Sequence, residues 1–252
     1  MADSDDLAFR MIGDIYYVGI ERVSSHLMTS DDGHILIDTC MPDSGPAILE
    51  HITHLGFKPR DVRYILISHS HIDHLGSTKF LAGETGATVC VGAADAAAAE
   101  KGSTTKMGLT GFEPFKVDTA LSEGDAVAVG DKQVRVCHTP GHTPGCCTFV
   151  FTVREDGKDY EGALFGGPGL NVFNPKMLSK GVYGGTKEDF KNTLDRLEAM
   201  PVQVWLGSHP DQNGTFEKHQ LLKQRAKPNP YIDPQGWKDF LRGRRAGLMK
   251  LL

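Results

Sequence analysis

The sequence has no long apolar run, no cluster of basic residues and no arginine-rich stretch. A helix that spans a bilayer takes about 20 consecutive apolar residues, and no stretch of the chain approaches that length. Proteins that bind nucleic acid usually carry a basic patch, whereas this chain has a formal net charge of −5. We therefore expect neither a membrane nor a nucleic acid as its partner.

Residues 1–6 are acidic and lack the apolar core of an export signal. As written, the chain is expected to be soluble and cytoplasmic. A chain trimmed of such a signal would have the same sequence, and it would then be periplasmic or secreted.

The five cysteines are an odd number, and no two of them have the spacing Cys-x-x-Cys. In a chain of 252 residues they are expected to be reduced, half-buried small residues rather than a disulfide framework, although one bridge stays open. Cys146 and Cys147 are adjacent, so within a strand they would point to opposite faces. One of the two could then face a site.

The length of 252 residues suits one large domain or two fused halves. A pattern of strands, helix, strands and helix occurs twice, and no linker divides the two occurrences. We expect a single domain over residues 1–252, made of two half-units at about 1–120 and 121–252. Each would be a β-sheet with helices on one face, and the two sheets would pack together as an α/β, four-layer αβ/βα sandwich.

Three helices follow from apolar spacing and from stop signals. Residues 44–56 carry apolar side chains at helical intervals and end in Gly56, which predicts a helix. Residues 186–200 have the same pattern, and residues 233–241 predict a terminal helix.

Three histidines and one aspartate lie within six residues, directly after an apolar run. Residues 64–67 predict a buried strand, and this strand runs into His69, His71, Asp73 and His74. Imidazole nitrogens and carboxylate oxygens are ligands of zinc and of similar cations. In an extended chain the side chains at 69 and 71 share one face, so the other two would point elsewhere and could serve a second metal. A solvated histidine-rich loop is the disfavoured alternative.

Two further predicted strands also end in histidine. One runs into His138 and His142, and the other, at residues 202–206, runs into His209. Strand ends at one edge of a sheet can converge although they are distant in sequence. These side chains exceed what one zinc ion needs, whereas two metals about 3.5–4 Å apart would use six of them. Asp38 also ends an apolar strand, either as a loop-initiating residue or as a carboxylate that orients a metal-bound histidine.

The order His-x-His-x-Asp-His, then Gly-His-Thr-Pro-Gly, then Gly-Ser-His-Pro resembles the metallo-β-lactamase superfamily over nearly the whole chain. Within the superfamily the chain looks most like the third subclass (B3-type) of metallo-β-lactamases. Residues 41–43, 66–71 and 229–236 carry that closer likeness.

The resemblance implies two zinc ions per chain. It assigns the ligands of the first zinc as His69, His71 and His142, and those of the second as Asp73, His74 and His209. His138 matches no ligand position and is interpreted as a loop residue in the pocket wall.

The resemblance also implies a zinc-dependent hydrolase, in which a metal-bound hydroxide attacks the carbonyl carbon of a small-molecule substrate. Asp73 would bind the second zinc and orient the nucleophile, so it is the predicted catalytic residue. Opening of a cyclic amide, with β-lactam antibiotics as substrates, is the favoured reaction. A lactone or thioester hydrolase of the same fold is the alternative, and a non-catalytic metal-binding scaffold is disfavoured. The sequence leaves the oligomeric state open.

Residues 165–169 depart from the family pattern. Glyoxalase-type relatives have a bridging Asp here, the first and second subclasses have a Cys, and the third has a Ser that helps to hold the substrate carboxylate. Pro168 falls at or next to that position. The missing Asp counts against a glyoxalase-type thioesterase, and the missing Ser removes one contact to a β-lactam. Residues 101–116, which lack clear periodicity, and residues 165–183 are expected to select the substrate.

Overall fold

Two β-sheets, one of seven strands and one of five, are built from consecutive segments of the chain. The computed structural model describes residues 7–102, 111–180 and 184–252. The strands of the first sheet are, in spatial order, β1 (Phe9–Ile12), β2 (Ile15–Tyr17), β3 (His26–Ser30), β4 (Gly33–Ile37), β5 (Val62–Ile67), β6 (Thr88–Gly92) and β7 (Thr119–Leu121). Those of the second are β8 (Ala126–Val129), β9 (Lys132–His138), β10 (Cys147–Glu155), β11 (Lys158–Phe165) and β12 (Val204–Leu206).

The first sheet changes from antiparallel to parallel at β4. Strands β1 to β4 pair antiparallel, whereas β4 to β7 pair parallel. Parallel neighbours need crossover connections, and helices supply them. The second sheet is antiparallel from β8 to β11, and β12 adds to it in parallel. Strand β5 lies between two parallel neighbours, which explains its nearly continuous apolar sequence.

Nine α-helices and two 3-10 helices are described. The α-helices are α1 (Gly45–His54), α2 (Ile72–Leu75), α3 (Thr78–Thr85), α4 (Ala93–Glu100), α5 (Pro175–Lys180), α6 (Lys187–Glu198), α7 (Pro210–Asn213), α8 (Thr215–Lys223) and α9 (Pro234–Met249). The 3-10 helices are Pro59–Asp61 and Asn171–Phe173. Within the described ranges, none of the helices is both long enough and apolar enough to cross a membrane.

Three apolar cores separate four layers. The central core joins the facing sides of the two sheets, with Leu66 from the first and Phe149 from the second. A second core packs helices against the outer face of the first sheet, for example through Ile48 of α1. A third core packs α6 and α9 against the outer face of the second sheet, through Phe190 and Trp237. The predicted αβ/βα sandwich is therefore confirmed.

The predicted helices at 44–56 and 186–200 correspond to α1 and α6, each of which begins one residue later and ends two residues earlier than predicted. The terminal helix α9 continues to Met249, well beyond the predicted end at 241. Glycine at 243 weakens the helix, but tertiary contacts outweigh that weakness. Arg245 binds Asp195 and Glu198 of α6, and Leu248 is buried in the third core.

All five cysteines are free, as predicted, and they are buried rather than half-buried. Cys146 lies in the third core and Cys147 in the central core, so the two adjacent side chains do point to opposite faces. Burial raises the pKa of both thiols. Both therefore stay protonated at neutral pH and behave as small apolar residues.

Candidate metal centre

Strand β5 places four of the predicted ligands at the end of the first sheet. After Ile67 the chain bends over residues 68–70, and His71, which has φ −88° and ψ 148°, then precedes the first residue of α2. The single turn of α2 then carries Asp73 and His74. The turn into α2 places these two side chains in a different cluster from those of His69 and His71. One short segment thus supplies ligands to two neighbouring points.

The second sheet supplies the two remaining histidines. His142 lies in the loop between β9 and β10, which packs closely on α6. A Cβ atom at Gly141 would lie 2.5 Å from the Cα atom of Phe190, and Gly141 has φ +136°, so this position requires glycine. His209 follows β12 in an extended conformation, and Pro210 begins α7 directly after it.

The first cluster brings three imidazole nitrogens together. His71 Nδ1 lies 3.2 Å from His69 Nε2 and 3.0 Å from His142 Nε2, and the three donor atoms lie within 4.8 Å of one another. A tetrahedral zinc ion with Zn–N bonds of about 2.0–2.1 Å separates its ligand nitrogens by roughly 3.3 Å. The spacing of the first cluster fits such an ion.

The second cluster has one carboxylate and two imidazoles. Asp73 Oδ2 lies 3.6 Å from His74 Nε2 and 3.6 Å from His209 Nε2, and these two nitrogens lie 3.3 Å apart. These separations also fit a tetrahedral zinc ion. The structure thus brings all six predicted ligands together in the two sets of three that the sequence predicted.

Four of the five imidazoles are held through the ring nitrogen that faces away from the cluster. The hydrogen bonds run from Nδ1 of His69 to Ser68 Oγ (3.1 Å), of His74 to Asp38 Oδ2 (2.8 Å), of His142 to the Gly169 carbonyl (2.6 Å) and of His209 to the Arg22 carbonyl (2.8 Å). Each acceptor keeps the proton on Nδ1, which leaves the Nε2 lone pair for a metal. Such outer hydrogen bonds are typical of histidines that bind metals.

Asp38 is one of these outer partners. Its carboxylate accepts hydrogen bonds from Ser68 N (2.8 Å), Ser68 Oγ (2.7 Å) and His74 Nδ1 (2.8 Å). The residue itself has φ +60°, a conformation that non-glycine residues rarely adopt and that concentrates at functional sites. Of the two interpretations that the sequence left open, the structure supports the carboxylate that orients a ligand.

Burial sets the protonation of the first cluster. Burial and the neighbouring imidazoles lower the pKa of His69 and of His71 well below the usual value, and burial lowers the pKa of His142 to about 4. These rings are therefore neutral at pH 7, as metal ligands must be. Burial would also lower the pKa of His74, but the carboxylates of Asp73 and Asp38 outweigh it and raise that pKa.

Both clusters line a single cavity of about 360 Å³. The residues around them include Met41, Ile72, Gly166, Pro168, Gly169, Asn171, Ser208 and Gln212. Four of these belong to residues 165–183, one of the two stretches expected to select the substrate. In the other stretch, 101–116, residues 103–110 lie outside the described residues. His138 ends β9 and its Nε2 bonds the Pro144 carbonyl at 2.8 Å, so it lies away from the cavity wall where we expected it.

Ser208 and Gln212 also line the cavity, although neither was predicted from the sequence. Gln212 Oε1 accepts hydrogen bonds from Ser208 N (3.0 Å) and Ser208 Oγ (3.2 Å). Their only visible feature in the sequence is that they flank His209 at short spacing. The turn from β12 into α7 brings them to the cavity.

An αβ/βα sandwich with two His/Asp clusters at the ends of its strands defines a class of proteins that bind two metal ions between two sheets. Residues 18–155 match the sequence profile of the metallo-beta-lactamase superfamily, and the chain belongs to that superfamily. The resemblance read from the three histidine motifs is thereby confirmed.

Two solved structures and one curated relative show where the similarity lies. The subclass B3 metallo-beta-lactamase BJP-1 of Bradyrhizobium japonicum is 34% identical, with a TM-score of 0.89 over 96% of this chain and 92% of that one. The class B3 di-zinc metallo-beta-lactamase LRA-12 from an Alaskan soil metagenome is 26% identical, with a TM-score of 0.86 over 100% and 98%. The likeness to the third subclass is thus confirmed.

The curated relative is a hydroxyacylglutathione hydrolase of Cereibacter sphaeroides. It is 30% identical over 168 residues, which are 67% of this chain and 54% of that protein. The chain therefore spans about half the length of the curated relatives that it matches.

Proposed function

We propose that this protein is a hydrolase that holds two zinc ions and opens the cyclic amide of β-lactams. The observation that carries the proposal is the pair of three-ligand clusters in one cavity, each spaced for a zinc ion. The likeness to two B3 metallo-beta-lactamases over nearly the whole chain, one of them described as di-zinc, supports both the metal and the reaction.

Zinc bound at these clusters would act as a Lewis acid and lower the pKa of a bound water to about 7. Burial keeps the imidazoles of the first cluster neutral, and hydrogen bonds to the outer ring nitrogens hold four of the five rings in place for a metal. Among the described residues that line the cavity, Asp73 is the one carboxylate. We propose that Asp73 would bind the second zinc and orient the attacking hydroxide.

Two amide side chains in the cavity are available to bind the substrate. The oxygen of Gln212 is occupied by Ser208, so its NH₂ group is the part left to donate to a substrate oxygen. Asn171 lines the same cavity as Pro168, which falls at or next to the position where the third subclass has its Ser. We propose that these amides provide polar contacts to the substrate that the missing Ser does not.

Thioester hydrolysis is the second candidate, because the curated relatives include hydroxyacylglutathione hydrolases. The end of β11 counts against it. Residues 166–169 read Gly-Gly-Pro-Gly, and three of them line the cavity, so that side of the clusters offers no bridging carboxylate.

A substrate panel tests the choice between the two. Purified protein loaded with zinc is assayed with penicillins, cephalosporins, carbapenems, lactones and an acylglutathione thioester. We expect turnover of at least one β-lactam class. Turnover of the thioester without any β-lactam would establish the second candidate instead. Metal analysis should give about two zinc ions per chain, and reproducible iron without zinc would contradict both.

The ligand assignment is tested by His142→Ala, because this residue contributes to the first cluster from a loop. We expect turnover to fall by at least about 100-fold, since even outer partners of a metal site typically contribute 10–100-fold. Circular dichroism should show an intact fold. His54→Ala, at an exposed position of α1, is the matched control and should keep full activity. Full activity in His142→Ala would mean that the site is misassigned.

A further inference from the structure

Asp95 is a buried carboxylate to which the proposed function gives no role. It lies in the first turn of α4 and is only 2% exposed. A carboxylate buried to this extent is costly unless hydrogen bonds compensate for the lost water. The groups that provide those bonds show what the residue does.

The carboxylate accepts three hydrogen bonds, all from the two loops that carry the first cluster. Oδ2 accepts from Ser70 N (2.9 Å) and from Thr143 Oγ1 (2.6 Å), and Oδ1 accepts from Gly145 N (2.8 Å). Ser70 stands between His69 and His71, and Thr143 directly follows the third ligand. One side chain is thus bonded to ligand loops that belong to different sheets.

Two glycines allow the His142 loop to lie directly on the start of α4. A Cβ atom at Gly145 would lie 2.4 Å from Asp95 N, and a Cβ atom at Gly92 would lie 1.9 Å from the Gly145 carbonyl oxygen. Neither position can carry a side chain without moving the backbone. The close contact between the loop and the helix therefore requires glycine at both positions.

We infer that Asp95 is a positioning residue for the first metal site, one that fixes the separation of its two ligand loops. That separation sets the 3.0 Å distance between His71 Nδ1 and His142 Nε2. Apart from the ligand imidazoles, no other side chain in the described part of the chain is hydrogen-bonded to both loops. The inference rests on the proposed metal-binding function.

A purely structural role makes a different prediction. An acidic residue in the first turn of a helix also stabilises that helix through the helix dipole. If Asp95 did only this, its removal would lower stability and leave the affinity for metal unchanged. Measurements of zinc affinity and of stability on the same variants separate the two roles.

The main variant is Asp95→Asn, which keeps the shape but turns an amide NH₂ group toward at least one hydrogen-bond donor. We expect the affinity of the first site for zinc to fall by about 10–100-fold, measured by competition with a chromogenic chelator. The absorption bands of the cobalt-loaded protein should also shift, because the angle between the ligands changes. Neither measurement uses turnover.

Glu155→Gln is the matched control. Glu155 is also buried, at 8% exposed, and accepts hydrogen bonds from Arg10, Gly13 N and Asn229 at the far end of β10. We expect this variant to have a lower unfolding temperature and the zinc affinity and cobalt spectrum of the wild type.

Thr143→Val provides a second, milder test, because it removes one of the three donors and keeps the side-chain volume. We expect a smaller loss of zinc affinity in the same direction, and this variant decides the question if Asp95→Asn does not fold. Wild-type zinc affinity in both variants, or an equal loss in Glu155→Gln, would overturn the inference. A wild-type chain that binds no zinc would instead contradict the proposed function.

Discussion

Among individual residues, His26 shows how burial makes stability depend on pH. The ring is fully buried with its edge toward Tyr17, and no hydrogen-bond partner for either nitrogen is found among the described residues. Burial lowers its pKa from 6.5 to about 3. Between these two values the unfolded chain binds a proton at His26 more readily than the folded chain does. His26 therefore leaves the free energy of unfolding undiminished above pH 6.5 and lowers it as the pH falls toward about 3.

We predict that His26→Leu flattens this decline in chelator-treated protein. At pH 7 the free energy of unfolding should stay equal or rise by up to about 2 kcal/mol, because a buried polar group without a partner is removed. His51→Leu is the matched control, since its Nδ1 donates to the Val18 carbonyl at 3.0 Å. Loss of that bond should cost about 1–2 kcal/mol. Urea denaturation at several pH values measures the free energy of unfolding of both variants. Equal destabilisation by His26→Leu and His51→Leu would contradict the prediction.

The sequence predicts residues of the site when their chemistry is visible locally. The six predicted ligands lie in short motifs at the ends of apolar runs, so spacing and chemical type marked them as candidates together with His138, and the family resemblance then assigned them. Asp38 was recognised as a candidate, but its role needed the contact with His74, which is 36 residues away. Asp95 was missed because its three donors lie 25, 48 and 50 residues away. In the sequence it is one aspartate in an alanine-rich helix.

Among the helices and strands, α9 shows how a charged cap begins a helix. Asp233 accepts a hydrogen bond from Gly236 N and pairs with Lys218 Nζ, both at 2.8 Å. Burial would raise the pKa of this carboxyl, but Lys218 and the Gly236 amide outweigh it and lower the pKa. The stabilisation is therefore present above the usual carboxyl pKa and is lost as the pH falls through the lowered value.

We predict that Asp233→Ala lowers the free energy of unfolding by about 1–2 kcal/mol at pH 7. The difference from the wild type should shrink in acid, where the wild-type carboxylate also loses its charge. Thr186→Ala is the matched control, because Thr186 caps α6 through a neutral hydroxyl that accepts from Asp189 N. The loss in free energy of unfolding caused by Thr186→Ala should change less with pH. Parallel chemical denaturation at neutral and acid pH decides, and a cost of Asp233→Ala that does not depend on pH would contradict the prediction.

Helices and strands were predictable where periodicity extends over several turns. The helix α6 buries Phe190, Leu194 and Leu197 on one face, and that pattern is visible in the sequence. Strand β7 has three residues and exists through its pairing with β6, so it has no local pattern to detect. The last part of α9 likewise depends on Arg245 reaching α6. Such elements form because of tertiary contacts, which a single segment does not encode.

At the scale of the whole molecule, each metal cluster takes ligands from both sheets. The first combines His69 and His71, after β5, with His142, after β9. The second combines two residues of α2 with His209, after β12. The single domain of two half-units, at about 1–120 and 121–252, stays a prediction. On that prediction, bound metal ions would connect the two halves at one end of their shared core.

This arrangement predicts that zinc stabilises the molecule against unfolding. A ligand that binds the folded chain alone adds RT ln(1 + [L]/Kd) to the free energy of unfolding, about 2.7 kcal/mol at a hundredfold excess over Kd. Two such sites would add up to about 5 kcal/mol. Raising the free zinc concentration in a metal buffer should therefore raise the unfolding temperature of the wild type, and chelation should reverse the change.

The same titration separates the two clusters. His142→Ala and His209→Ala each remove one ligand, from the first and the second cluster respectively, so each variant should lose part of the stabilisation by zinc. The double variant should lose nearly all of it, because neither cluster then keeps three ligands. His54→Ala, in α1, should titrate like the wild type. An unfolding temperature that still rises with zinc in the double variant would show that the ion binds elsewhere and does not connect the sheets.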